Sequence, residues 1–179
     1  MNMKKVLTPQ FLIITIMIMA AAFSRLLTTA FHVWNFTPII AMSLFSGAEI
    51  RDKRLAFMIP LIAMVITDAF LGFYQGILVV YASLMLITCF GFLLRNRIKV
   101  IPVILGSLGA SCIFFLVTNF ALLYPTMLYP HTWQGIMASY TAGIPFFKNA
   151  VVGDLMYCIL LFGSYELIFK KVLTSAIAV

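Results

Sequence analysis

At 179 residues, 64% hydrophobic and only 9% charged, the chain falls far below the roughly 25% charged residues of a soluble domain. A soluble globular fold is excluded, because so much apolar surface needs lipid as its solvent. The net charge of +7 does not read as a nucleic-acid footprint. The basic residues form short clusters at the ends of apolar runs, which is a topology signal. The length fits one transmembrane domain, residues 1–179.

Lys4 and Lys5 precede a first apolar run, about Phe11–Leu27. It is longer than a secretory signal core and holds Arg25 near its far end, so it reads as a retained helix. Each further run is measured against the roughly 20 residues that cross a bilayer. They are a short one at Thr37–Ile50, then Leu55–Phe73 with a kink expected at Pro60, Ile77–Leu94, Val100–Leu123 and Ala150–Phe169. Between the last two lies Tyr124–Asn149. Its first half is broken by prolines, and its second half, Ile136–Phe147, is apolar but too short to cross. That half fits a short re-entrant or interfacial helix. The predicted fold is therefore an all-α integral membrane bundle of six transmembrane helices, with this extra helix before the last span.

The charges orient the bundle. With a cytoplasmic N-terminus, Lys4, Lys5, Arg51, Lys53, Arg54, Arg95, Arg97, Lys99, Lys170 and Lys171 fall on the inner side. Only Arg25 and Lys148 fall on the outer side, as the positive-inside rule requires. The tight turns Arg51–Arg54 and Arg95–Lys99 predict helical hairpins. Glu49 and Glu166, near the inner ends, are expected to pair with the basic clusters. Small residues four apart, Ser43 with Gly47 and Gly106 with Ala110, mark close helix approach, within the bundle or against a partner. Cys89, Cys112 and Cys158 all lie in apolar runs and read as small core residues rather than a disulfide framework.

Polar groups inside a bilayer are costly unless paired, so each is a candidate functional group. Here they gather at one depth. Arg25 ends the first span. His32, Trp34 and Asn35 lie in the first outer loop, Phe31–Pro38. Asp68 is in the outer third of the third span, Tyr81 near the start of the fourth and Asn119 near the end of the fifth. Lys148, Asn149 and Asp154 open the sixth. In one reading Arg25 and Lys148 neutralise Asp68 and Asp154, and the cluster is an internal staple. In the other, these groups line a cavity open to the outside, with aromatics stacking on a planar ligand. Asn149, read as near a helix start, would present backbone N–H groups and the helix dipole to an anionic or carbonyl group.

Catalysis is not expected. There is no Gly-x-Ser-x-Gly elbow, and no cysteine near the outer surface to pair with His32 or His131. Asp68 and Asp154 lack the Tyr-Asp and Gly-x-Gly-Asp contexts of intramembrane aspartyl proteases. No tight metal-ligand spacing and no phosphate-binding loop occurs. Neither a cofactor nor a metal is expected.

Several ordered blocks carry a resemblance. They are Asn35-Phe36-Thr37-Pro38 leading into Leu44–Ala48, Ile66–Phe73, Thr118-Asn119-Phe120, Ile144–Asn149, and Gly153-Asp154 with Leu161-Phe162-Gly163. From about Arg25 to Tyr165 the chain resembles an uncharacterised bacterial family of small membrane proteins described as candidate transport proteins. That family is similar to the substrate-binding (S) components of energy-coupling-factor vitamin transporters. The resemblance implies a six-helix protein of the bacterial cytoplasmic (inner) membrane with both termini cytoplasmic. It would capture a vitamin or precursor-like compound from outside and dock on a transmembrane coupling protein that carries ATPases. The chain departs from a solitary cobalamin-binding member in having no cysteine in the outer half of an early helix. It departs from the docking signature of alanines four apart, for which Ala20 and Ser24 are the nearest equivalent. Two functions follow as expectations: capture of a small water-soluble substrate, or a non-catalytic structural or assembly role in a membrane complex.

Overall fold

The computed structural model describes residues 9–31 and 36–177, with side chains through residue 168. Its described residues form six α-helices and no strand. The helices are α1 (Pro9–Ala30), α2 (Ile39–Glu49), α3 (Lys53–Leu71), α4 (Ile77–Gly91), α5 (Val100–Thr118) and α6 (Trp133–Ile177). Short 3₁₀ turns follow α4 at Phe92–Leu94 and α5 at Ala121–Leu123. All of these helices except α2, with α4 counted through its 3₁₀ turn to Leu94 and α6 over Trp133–Ile168, are long and apolar enough to cross a membrane. Large apolar side chains such as Ile16, Phe70, Leu78, Ile101 and Ile159 remain exposed on their faces. A chain that presents this much apolar surface is built as a membrane protein.

The short helix is the axis of the bundle. α2 has 11 residues, about 16 Å of rise, and every residue from Ile39 to Ala48 is buried. The other five helices all pack on it. Its closest neighbour is α4, because both glycines at the crossing lack side chains. A Cβ built on Gly47 would meet the Thr88 carbonyl and lie 3.1 Å from Gly91 Cα, and one on Gly91 would meet the Leu44 carbonyl. The Ser43–Gly47 spacing therefore serves packing within the bundle. Across α2 from this crossing, the Phe45 ring stands edge-on to Phe162 at 5.0 Å and to Tyr165 at 5.7 Å.

Backbone groups buried in such a bundle have no water to bond, so side chains complete them. Pro60 continues α3 but leaves the carbonyl four residues earlier, that of Ala56, without a helical N–H. Ser46 Oγ, reaching across from α2, donates to it at 2.7 Å. Arg95, beyond α4, closes the C-terminal end of α2. Its Nε donates to the Gly47 carbonyl at 2.9 Å and its Nη2 to the Ile50 carbonyl at 2.5 Å. A cation there also suits the negative end of the helix dipole. Asp52 caps α3, accepting from the N–H groups of Arg54 at 2.9 Å and Leu55 at 3.2 Å. The α3–α4 turn needs two glycines with positive φ, Gly72 at 93° and Gly76 at 89°, a region that side-chain-bearing residues avoid.

Three sequence expectations change. The fifth helix stops at Thr118 rather than Leu123: the Asn119 backbone N–H and side-chain amide both donate to the Phe115 carbonyl, at 3.1 and 2.9 Å, and the Phe120 N–H then turns to the Val117 carbonyl at 3.3 Å. No separate re-entrant or interfacial helix precedes the last span: residues 136–147 are the early turns of α6, one helix of 45 residues. Thr132 Oγ1 accepts from Gly135 N–H at its start. Pro145 and the polar pair Lys148-Asn149 do not interrupt it, because its packing against α5 outweighs those local signals. Phe115 stacks at 4.7 Å from Phe147 and 5.7 Å from Tyr140, whose hydroxyl donates to the Leu116 carbonyl at 2.8 Å. At about 68 Å this helix is twice the hydrocarbon thickness, so its Trp133 end extends past the neighbouring span. Finally, of the three cysteines only Cys158 is buried, while Cys89 and Cys112 are exposed.

Two outcomes test this packing. Ser46→Ala should lower stability by about 1–2 kcal/mol, and much less in a Pro60→Ala background, where an N–H returns to the Ala56 carbonyl. A double-mutant cycle of thermal unfolding in detergent measures that coupling. Gly47→Ala should cost about 1–3 kcal/mol by driving α2 off α4. Gly163→Ala, where a Cβ meets nothing within 4 Å, should be neutral or stabilising in the same melts.

Candidate functional site

At the end of the bundle opposite the Arg51–Arg54 and Arg95–Lys99 turns, two carboxylates are buried. Asp68 is 0% exposed and Asp154 is 1% exposed. Their surroundings differ. Asp68 is held from two other helices. Arg25 of α1 donates through Nη1 to Oδ1 at 2.5 Å, and Tyr81 of α4 donates to Oδ2 at 2.7 Å. The same Arg25 nitrogen lies 3.0 Å from Thr67 Oγ1. This is a closed ion pair with both carboxylate oxygens occupied, as a buried pair requires. Tyr74, in the α3–α4 turn, borders it. Burial raises its phenol above the ordinary value, the neighbouring Asp68 raises it further, and Arg25 opposes both.

Asp154 of α6 has no ion pair among the described residues. Its single hydrogen bond among those residues comes from Ser111 of α5, with Ser111 Oγ 2.6 Å from Oδ2. That hydroxyl is also 3.0 Å from the Ser107 carbonyl. It has one proton for two acceptors, so Asp154 is sparsely satisfied. Its other oxygen, Oδ1, accepts no hydrogen bond from the described residues.

A cavity of about 290 Å³ joins the two groups. Arg25, Thr37, Tyr74, Thr118 and Asp154 line it, with Ile39, Ile40, Val80, Phe114 and Ala150 supplying the apolar wall. A second cavity, of about 200 Å³, lies between α5 and α6 and shares Phe114, Thr118 and Ala150 with the first. Its remaining wall is Ser111, Phe115, Asn119, Gly143, Phe146 and Phe147. The two form adjoining lobes, one polar and one aromatic. Phe36, entering α2, packs beside them against Gly153 and 5.8 Å from Tyr157.

Of the sequence-predicted residues, Arg25, Asp68, Tyr81 and Asp154 are brought together, and Asn119 borders the aromatic lobe. Lys148 and Asn149 are not brought in. Both are exposed and line neither lobe, so Lys148 does not neutralise Asp154. Asn149 is no helix start either, since it lies 16 residues into α6 and the helix dipole expected there is absent. His32, Trp34 and Asn35 lie outside the described residues. His131 is exposed, with its Nε2 at 2.8 Å from the Tyr124 carbonyl, and so ties the loop before α6. Glu49, expected to pair with the basic clusters, makes no ion pair among the described residues. It lines a cavity of about 510 Å³ at the opposite end with Gln10, Arg51 and Arg95. Sequence reading missed Ser111 and Thr67. The signal for Ser111 was its place one turn after Ser107, on a helix read only for its Gly106–Ala110 packing.

The two carboxyls should respond differently to loss of charge. Asp68→Asn leaves Arg25 buried without its counter-ion and should cost about 3–5 kcal/mol. Replacing both partners together, Arg25→Met with Asp68→Leu, should recover most of that. Asp154→Asn should be tolerated, because it breaks no ion pair. Thermal melts of the four proteins in one detergent check this order.

No curated protein and no solved structure matches this chain. Residues 5–176 match a family of unknown function, DUF6580, and the chain belongs to that family.

Proposed function

We propose that this protein is a membrane substrate-binding and transport protein that captures a small, water-soluble compound, vitamin or precursor-like, for uptake. One observation carries the reading. Among the described residues, a buried carboxyl with one oxygen unbonded and no counter-ion lines a cavity walled by aromatic and apolar side chains. Pockets of this kind bind small molecules through a few convergent polar groups, and an ionisable group at membrane depth is costly to keep without a use. Arg25 and Asp154 border the ligand directly. Asp68, Tyr81 and Thr67 hold Arg25 in place. Asn119 borders the adjoining lobe. Binding proceeds without covalent chemistry and without a cofactor.

In this proposal the chain crosses the bacterial cytoplasmic membrane six times. α2 makes the second crossing as a half-length helix sheathed by its neighbours, which supplies the burial that a short span needs. The basic turns Arg51–Arg54 and Arg95–Lys99 lie on the cytoplasmic side with both termini, and the paired cavities open outward. Energy comes from a transmembrane coupling protein with ATPases, in the manner of an energy-coupling-factor S component. On α1, Ser24 is already engaged with the Tyr157 hydroxyl at 2.9 Å. The exposed stripe Leu12, Ile16, Phe23 and Leu27 is the surface left for lipid or such a partner.

A second reading, an assembly subunit with an internal staple, is favoured by the closed Arg25–Asp68–Tyr81 cluster, which needs no ligand to complete it. Native mass spectrometry of protein released gently from membranes separates the two. The transport reading expects a retained small molecule that Asp154→Asn loses while its melting temperature holds. A protein that never carries a compound, and whose deletion changes the uptake of none, is the assembly subunit.

A further inference from the structure

The charges around the cavity narrow the class of ligand, an inference that rests on the binding reading above. Two positions decide it. Arg25 is the one basic residue among the described lining, and Asp68 neutralises it at 2.5 Å from a position 0% exposed to solvent. The pair presents no net charge. Asp154 has no counter-ion, and its Oδ1 has no protein hydrogen-bond donor among the described residues. The remaining lining offers no charge, only the hydroxyls of Thr37, Tyr74 and Thr118 and apolar side chains. An anionic ligand would face this carboxylate with no free cation to hold it. A cation would supply the counter-ion that the fold omits, and a charge-assisted hydrogen bond to a carboxylate is the strongest contact such a site can make.

Size and shape add to this. The polar lobe, at about 290 Å³, holds the volume of roughly ten water molecules. Its neighbour, at about 200 Å³, is walled by Phe114, Phe115, Phe146 and Phe147. Aromatic faces of this kind stack on a flat ring and also attract a nearby cation. Thr118 and Ala150 border both lobes, so one molecule can occupy both.

We infer that the site takes a small organic cation, a protonated amine or ring nitrogen carried on an aromatic ring, with the nitrogen at Asp154 Oδ1 and the ring against Phe114 and Phe115. Ser111 is a positioning residue that holds the opposite carboxylate oxygen and so turns Oδ1 toward the cavity.

Three probes of one shape and different charge test the inference on the full chain in detergent: 2-phenylethylamine, 2-phenylethanol and 3-phenylpropanoate. Affinities are read by thermal shift and by calorimetry at neutral pH. The amine should bind roughly tenfold or more tighter than the alcohol, and the carboxylate weakest. In Asp154→Asn the amine's advantage over the alcohol should vanish while binding of the alcohol persists. Because the series is read first on the unaltered protein, the result stands even if that variant does not fold, and Ser111→Ala should then narrow the amine's advantage in its place. If the alcohol or the carboxylate binds as tightly as the amine, the cation inference is overturned while the binding reading survives. If none of the three binds, the cation inference is overturned and the retained-ligand experiment decides the binding reading separately.

Discussion

A carbonyl or carboxylate without a hydrogen bond inside an apolar bundle costs several kcal/mol, and that constraint shapes this fold more than helix propensity does. α2 is the clearest case. Too short to be stable alone, it is surrounded on all sides, and the carbonyls of its C-terminal end are answered by a neighbour. Arg95 covers its last carbonyls, and its own Ser46 repairs the defect that Pro60 makes in α3. The arrangement is reciprocal. α3 depends on a hydroxyl from α2, α2 depends on a guanidinium from beyond α4, and the Gly47–Gly91 contact sets the spacing at which both can reach. Arg95, expected only as a topology charge, is also a structural cap.

The same rule separates the parts of the fold legible in the sequence from those that were not. Apolar runs bounded by charge clusters located α1, α3 and α4 to within a few residues, because desolvation acts on composition alone. The depth at which Arg25, Asp68, Tyr81 and Asp154 meet was legible for the same reason: few places in such a chain tolerate a polar group. The pairings among them were not. Nothing local tells Arg25 to choose Asp68 over Asp154, since that depends on which helix faces which. In the staple reading Lys148 is set against Asp154, but residues six apart on one helix lie on different faces. Lys148 and Asn149 signal the opening of a separate last span. The signal failed because Phe115, Tyr140 and Phe147 pack across the interval, and tertiary contact decides where local preference is weak. Ser111 gave little warning, because a serine one turn from another in an apolar helix commonly bonds its own backbone.

The contrast between the two carboxyls is what turns a membrane fold into a functional argument. A bundle that needed only a polar staple has one in Arg25, Asp68 and Tyr81, where every charged oxygen is met and Arg25 sits 2.5 Å from its counter-ion. Asp154 repeats none of this. It is as deeply buried, yet among the described residues one hydroxyl shared with a backbone carbonyl is all that holds it. Stability alone would favour an alanine or a serine there, because an unpaired carboxyl at this depth weakens the fold without tying any two helices by charge. Its position is also specific. It lies across the cavity from an arginine already neutralised and beside a lobe walled by four phenylalanines. Under the binding proposal, this carboxyl leaves an interaction to be completed from outside the chain, and the uncharged remainder of the described wall favours a positive partner.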